Sequence, residues 1–330
     1  MDSVSTVGEL NMISATREPN FFIVGAPKAG TTSLYHYLDQ HPDIYMSPMK
    51  EPCFFSAEAR PENFEASLRT NAVRLEEDSR QYLHGPMERK RSGGIVREWP
   101  DYLCLFSKAT TQRAVGEASV NYLWSKTAPG NIASRIPQAR IIMVLRSPAE
   151  RAFSQYLHWL SAGLIAQSFQ EYVRASLRYQ GEGLGIHKPF LEMGFYAEQV
   201  QRYLDLFPRE HVGIWFYEET ILRQREFLGE VLEFLDVDSS LIPDTTKRYN
   251  EPLIARMVKP TQLLRRSGMW EVAKRLTPNR LRKAMRDTIF KPAGSVRMSP
   301  EDRALMLDFY RNDIHRLEEI LGRNLSAWLS

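Results

Sequence analysis

Between Gly25 and Ser33 the chain reads Gly25-Ala26-Pro27-Lys28-Ala29-Gly30-Thr31-Thr32-Ser33, two glycines bracketing a lysine and running into three consecutive hydroxyls. The apolar run Phe21-Phe22-Ile23-Val24 precedes it and Leu34 follows. A strand that passes through such a loop into a helix points backbone N–H groups, and the positive end of the helix dipole, at one spot suited to a phosphate. Gly25 and Gly30 permit the tight turn and the close backbone approach, and Lys28 adds a mobile point charge. The plainer alternative is a strand–loop–helix connection rich in small residues; Lys28 and the run of hydroxyls speak against it. In the loop of nucleoside triphosphatases, G-x-x-x-x-G-K-[ST], a lysine follows the second glycine and a hydroxyl ligates magnesium. Here Thr31 follows Gly30. Val144 likewise leads to Leu145-Arg146 and not to an acidic residue that would hold a metal through water. The phosphate cradle is kept and the magnesium and γ-phosphate parts are missing, which predicts a nucleotide with a 5′-phosphate but no triphosphate.

With those residues in view, Pro27-Lys28-Ala29-Gly30-Thr31-Thr32-Ser33 resembles the 5′-phosphosulfate loop of sulfotransferases that use 3′-phosphoadenosine 5′-phosphosulfate. A second stretch, Ile141-Ile142-Met143-Val144-Leu145-Arg146-Ser147-Pro148-Ala149-Glu150-Arg151-Ala152-Phe153-Ser154-Gln155-Tyr156, resembles that family's 3′-phosphate motif. In the family an arginine at the strand end and a serine one helical stretch later grip the 3′-phosphate; by position these are Arg146 and Ser154. The chemistry agrees, since arginine offers a planar fork to a phosphate, and eight residues bring Ser154 round to the same helix face after about two turns. An Arg-Ser-Pro helix start alone is a weak signal. The two motifs in this order are a strong one.

A third match, His41-Pro42-Asp43 followed by Lys50-Glu51-Pro52-Cys53-Phe54-Phe55, resembles the carbohydrate sulfotransferase branch, including heparan-type enzymes and bacterial relatives. In that branch a glutamate just before an aromatic pair is the general base, which places the role on Glu51. Sulfuryl transfer to a hydroxyl needs such a carboxylate, because the nucleophile's proton must leave. Phe54 and Phe55 are expected to raise its pKa by desolvation. The competing reading is a solvated loop carboxylate paired with Lys50. His36, His41 and His158 are rival bases, each read as structural, His41 as a turn residue ahead of Pro42. One departure stands out. Heparan-type enzymes carry a Gly-Glu-Lys-x-x-x-Tyr segment whose lysine lines the active site; here it reads Gly116-Glu117-Ala118-Ser119-Val120-Asn121-Tyr122. A cation near the acceptor is therefore absent or supplied elsewhere, which speaks against a heparan-like substrate and leaves the donor chemistry untouched.

The elements that must position these residues alternate strand and helix, the pattern of a P-loop-like α/β fold with a central parallel sheet and helices on both faces. Strands are expected at 21–24, 43–46, 140–145 and 211–217. Helices are expected at 32–40, from Pro148, and at 169–179, 196–207, 224–235 and 304–321. The last carries a stripe of Leu305, Phe309, Ile314, Leu317 and Leu321. Tyr217-Glu218-Glu219 is read as a strand-end cap and not as a metal carboxylate; the family's usual Tyr-Glu pair falls there. The polar stretch 57–97 reads as a loop-bearing insertion.

At 330 residues, 43% hydrophobic and 25% charged, the composition is that of an ordinary globular protein with room for a large core. The motif spread favours one domain over 1–330, with 57–100 a variable insertion and 253–295 a basic helical one. Met1-Asp2-Ser3-Val4 has neither a basic n-region nor an apolar h-region, and no apolar run approaches ~18 residues, so a soluble, cytoplasmic, bacterial-type enzyme is expected. Two cysteines, Cys53 and Cys104, make neither a disulfide framework nor a zinc site. Between Leu253 and Lys291 eleven Lys/Arg face only Glu271 and Asp287, a local +9 in a chain of net +3. Three readings stay open for that segment: a solvated basic face, attraction of an anionic donor or acceptor, or peripheral membrane contact. Nucleic-acid binding has no recognition motif to support it.

Together these readings predict metal-free in-line transfer from 3′-phosphoadenosine 5′-phosphosulfate to a hydroxyl, less readily an amine, of a sugar, lipid or small metabolite. Glu51 and Lys28 are the expected catalytic residues; Lys28, Ala29, Gly30, Thr31, Thr32, Ser33, Arg146 and Ser154 are the expected donor contacts. The alternatives are a nucleotide kinase or NTPase and a catalytically inactive binding relative.

Overall fold

Phe21–Gly25 (β1) has no polar alternation, and all five of its residues are buried, as in a central strand covered on both faces. The computed structural model describes residues 17–246, 253–255, 290–292 and 296–330. These divide into two compact units: one within Met1–Arg146, Gly181–Gly185 and Tyr196–Lys247, the other within Ser147–Gln180, Ile186–Phe195 and Arg248–Ser330.

In the first unit β1 passes into helix Thr31–Leu38 (α1), then the short strands Ile44–Met46 (β2) and Met49–Lys50 (β3). Helix Ala66–Leu83 (α2), strand Arg91–Ser92 (β4) and helix Trp99–Cys104 (α3) lead to strand Ala114–Ala118 (β5), helix Ala128–Arg135 (α4) and strand Arg140–Leu145 (β6). After an excursion through Pro148–Ala162 (α5) and Phe169–Arg178 (α6), the chain returns with Tyr196–Leu204 (α7), Val212–Phe216 (β7), Tyr217–Leu222 (α8) and Gln224–Phe234 (α9). The five long-range strands form one parallel sheet in the order β2-β5-β1-β6-β7. From β1 the chain builds outward to β2 and β5 on one side, then crosses to β6 and β7 on the other. In open α/β sheets ligands bind outside the carboxyl ends of the strands at such a reversal, which here is the loop after β1.

Most expected elements lie within a few residues of their sequence-based bounds. Two differ. The 57–97 stretch, expected as loop, holds the 18-residue helix α2, which buries only Ala72, Ser79 and Leu83. Its Arg, Leu, Glu and Gln residues are good helix formers, but they leave no broad apolar stripe to read. Strand β5 was not expected: Ala-Val-Gly-Glu-Ala has small residues and a carboxylate, yet all five are buried. Gly116 is required there, since a Cβ would lie 2.5 Å from the Phe21 ring on β1.

The second unit contains α5, α6, an antiparallel pair Leu253–Ala255 (β8) with Phe290–Pro292 (β9), and the helix Pro300–Leu321 (α10). Helix α6 opens with a capping box between Ser168 and Glu171. Arg151 on α5 is fully buried and donates to the Phe190 carbonyl at 2.5 Å, while Tyr310 on α10 donates to that of Leu191 at 2.8 Å. The buried stripe of α10 is Met306, Tyr310, Ile314 and Leu317, with Leu305 exposed, so its core face is rotated from the expected stripe. The basic segment 253–291, apart from the backbone of its two end strands, lies outside the described residues.

Candidate active site

Gly25 ends β1 where a Cβ would meet the Cβ of Leu123 at 2.7 Å, so only glycine lets the loop leave the sheet there. Lys28 (φ 68°) and Gly30 (φ 83°) then adopt left-handed backbone, folding the loop back before α1. Gly30 opens α1 with no side-chain cap among the described residues and with no acidic residue in the first turn. A helix start left in this state has backbone N–H groups and a positive dipole end to offer an anion. Thr31 is buried, while Ala29, Thr32 and Ser33 complete the segment between the lysine and the helix body.

Arg146, at the end of β6, donates from Nη1 to the Lys28 carbonyl at 3.1 Å. Its guanidinium lies 4.7 Å from the ring centroid of Tyr217, the first residue of α8. The same ring closes on Gly30, where a Cβ would come within 3.1 Å of it. Tyr217 therefore touches both phosphate-motif residues, a role the sequence reading did not assign. Its position directly after β7, next to β6 in the sheet, was the available signal. Ser154 is half-buried on α5 in the second unit, whereas Arg146 belongs to the first.

Glu51 stands on a second left-handed position (φ 64°), followed by another at Cys53 (φ 57°). Its N–H donates to the Ala118 carbonyl at 2.8 Å, at the carboxyl end of β5 and beside β1. Lys50 Nζ lies 2.5 Å from Glu51 Oε1. The pairing weighed from sequence is thus present, but the lysine side chain is only 5% exposed, so the pair is not a solvated surface bridge. The arm that returns from α2 borders the same segment: Gly93 N–H donates to the Lys50 carbonyl at 2.8 Å and Val96 N–H to that of Pro52 at 3.0 Å.

Phe54 and Phe55 are buried in an aromatic cluster with Phe22, Trp99, Tyr102 and Tyr122. Behind the Glu51 segment lies Glu117 of β5, fully buried. Burial pushes its carboxyl up to about 7, against the pull of hydrogen bonds from Ser119, Tyr122 and Tyr102. Burial also raises the Cys53 thiol, with Glu51 and Glu117 adding to the shift. Of the rival bases, His41 is buried and accepts from Asp43 N–H through Nδ1 at 3.1 Å, leaving Nε2 to donate to the Asp238 carbonyl at 2.9 Å. His36 packs edge-on against Tyr35, and His158 is exposed on α5. Among the described residues no three His, Cys, Asp or Glu gather as metal ligands.

A family model described as "Sulfotransferase family" matches residues 19–240. Over 224 residues, 67% of its length, the chain is 30% identical to the human bifunctional heparan sulfate N-deacetylase/N-sulfotransferase 3 and spans 22% of that protein. It is 26% identical over 269 residues to human carbohydrate sulfotransferase 15, covering 66% of this chain and 44% of that one. A crystal structure of a sulfotransferase from Alicyclobacillus acidocaldarius matches with a TM-score of 0.70 at 30% identity, covering 95% of this chain and 100% of the other.

Proposed function

The chain belongs to the sulfotransferase family, and from that premise we propose that it moves a sulfuryl group from 3′-phosphoadenosine 5′-phosphosulfate to a hydroxyl, less readily an amine, of a sugar, lipid or small metabolite. The observation that carries this reading is the Lys28–Arg146–Tyr217 knot at the carboxyl ends of β1 and β6. It places two cations and an uncapped helix start at one end of the sheet. That donor set fits a nucleotide with phosphates at both its 5′ and 3′ positions.

Lys28 and the amides at 30–33 hold the 5′-phosphosulfate, and Arg146 takes the 3′-phosphate. The assignment of Ser154 stays with the sequence resemblance that suggested it. The acceptor oxygen attacks sulfur in line, its proton passes to Glu51, and the bond from sulfur to the 5′-phosphate oxygen breaks. Lys28 and the loop amides stabilise the negative charge that builds on the departing phosphate. Lys50, paired with Glu51, orients its carboxylate before the acceptor arrives. No step requires a metal. The glycan acceptors named by the relatives, together with the α2 arm beside Lys50, support an acceptor site bounded by that arm.

The test is ligand stabilisation. At equal concentration 3′-phosphoadenosine 5′-phosphate should raise Tm clearly more than AMP, because stabilisation follows RT ln(1 + [L]/Kd) and AMP lacks the 3′-phosphate. Equal shifts would remove the assignment of Arg146.

A further inference from the structure

Glu117 is fully buried, pairs with no Lys or Arg among the described residues, and takes no part in the mechanism above. A buried carboxylate without a cation persists only where hydrogen bonds replace its water. Three hydroxyls do so: Ser119 Oγ donates to Oε2 at 2.7 Å, and Tyr122 and Tyr102 donate to Oε1 at 2.7 and 3.2 Å. Two of these hydroxyls also accept backbone N–H groups from the catalytic segment. Cys53 N–H donates to Ser119 Oγ at 3.2 Å, and Phe55 N–H donates to the Tyr122 hydroxyl oxygen at 3.2 Å.

We propose that Glu117 is a positioning residue for Glu51: through the hydroxyls of Ser119 and Tyr122 it anchors residues 53 and 55, and so holds the left-handed turn that aims the general base at the acceptor. The inference rests on Glu51 being that base. An ionised carboxylate only accepts, so each hydroxyl must spend its proton on Glu117 and present lone pairs to the amide. The relay has one direction for as long as the carboxylate is charged. Glutamine at 117 would place an N–H donor against one of the hydroxyls and force it to turn. The titratable groups facing Glu117 are Tyr102 of α3, Tyr122, Tyr203 of α7, and Glu51 and Cys53 of the turn itself, with Lys50 facing Cys53. Lys50 is the cation of that group, and it pairs with Glu51.

The experiment is a double-mutant cycle between Glu117→Gln and Glu51→Gln. Turnover is read as release of labelled sulfate from the donor to water, and donor-site binding from titration with 3′-phosphoadenosine 5′-phosphate. A misplaced catalytic group costs on the order of 10²-fold, so Glu117→Gln should lower kcat by roughly 10- to 100-fold while nucleotide affinity stays within about three-fold. On the Glu51→Gln background the same change should cost no more than about two-fold, because a residue acting through Glu51 has nothing left to position. Ser119→Ala cuts one relay and leaves the buried carboxylate in place. It should show the same coupling at smaller size, and it carries the cycle if Glu117→Gln does not fold. Equal losses on both backgrounds, an unchanged kcat, or a parallel collapse of nucleotide binding would each overturn the inference. Near-normal kcat in Glu51→Gln alone would instead overturn the base assignment, so the two failures are distinguishable.

Discussion

Lys28 and Glu51 are both non-glycine residues in left-handed backbone, at φ 68° and 64°. Each such residue costs about 1–3 kcal/mol and persists only where its surroundings over-determine it, and such residues cluster where chemistry is done. Their side chains lead to different expectations. Glu51→Gln keeps shape but accepts no proton, so kcat should fall roughly 10²–10⁴-fold with donor affinity within a few-fold. Lys28→Ala should weaken donor binding as well as turnover, because the ammonium meets the phosphosulfate in ground and transition states alike. Steady-state kinetics beside nucleotide titration separates the two patterns. Glu117 adds a pH signature. Its folded value, about 7, lies above that of the unfolded chain. Its contribution to stability is therefore complete below the unfolded value and is lost as pH rises through the folded one. Glutamine is neutral throughout, so the Tm of Glu117→Gln relative to the parent should improve between about pH 5 and about pH 8. A Tm difference that stays flat across that range would contradict a buried carboxyl raised above its unfolded value.

At the scale of elements, helix α4 shows how the segment after Glu51 is tied down. Glu58 accepts from Lys126 N–H at 2.8 Å and Thr127 N–H at 3.1 Å, and from the hydroxyls of Ser125 and Thr127 at 2.6 and 2.7 Å. Partial burial pushes its carboxyl up, but these hydrogen bonds outweigh burial and hold it below the usual carboxylate value. Stability from Glu58 is then present above the unfolded value and lost as pH falls through the folded one. Glu58→Gln should lower Tm at neutral pH, by an amount equivalent to about 0.5–2 kcal/mol, with the deficit closing in acid. A deficit independent of pH would mean the charge is not what holds the cap. Strand β5 and helix α2 belong to this scale too. Both escaped the sequence reading because their periodicity is weak: β5 is buried on both faces with small residues, and α2 buries little.

For the whole molecule, the absence of a lysine after Gly30 leads to an expectation about cofactors. EDTA should leave turnover essentially unchanged; activity lost with chelator and restored by magnesium would favour a kinase-like reading. No helix among the described residues is long and apolar enough to cross a membrane. The chain spans 22% and 44% of the two human relatives, so neither relative's full activity transfers to it as a whole.

The parallel α/β class, the strand into the 25–33 loop, the strand ending at Arg146 and the Lys50–Glu51 pairing were all legible in the chain. Each depends on neighbours a few residues apart: an apolar run, two spaced glycines, a proline in the first turn of a helix. What the sequence did not disclose is set by contacts between distant residues. Tyr217 reaches Gly30 and Arg146 only because β7 lies beside β6 in the sheet. Phe54 and Phe55 are buried in the aromatic cluster, and behind them burial raises the carboxyl of Glu117 to about 7. Nothing in Gly116-Glu117-Ala118 marks that glutamate as buried, because burial belongs to the sheet that forms around β5 and not to the residue. Local patterning therefore specified most strands and the phosphate loop, while tertiary packing alone decided that Glu117 is fully buried and Glu51 only half-buried.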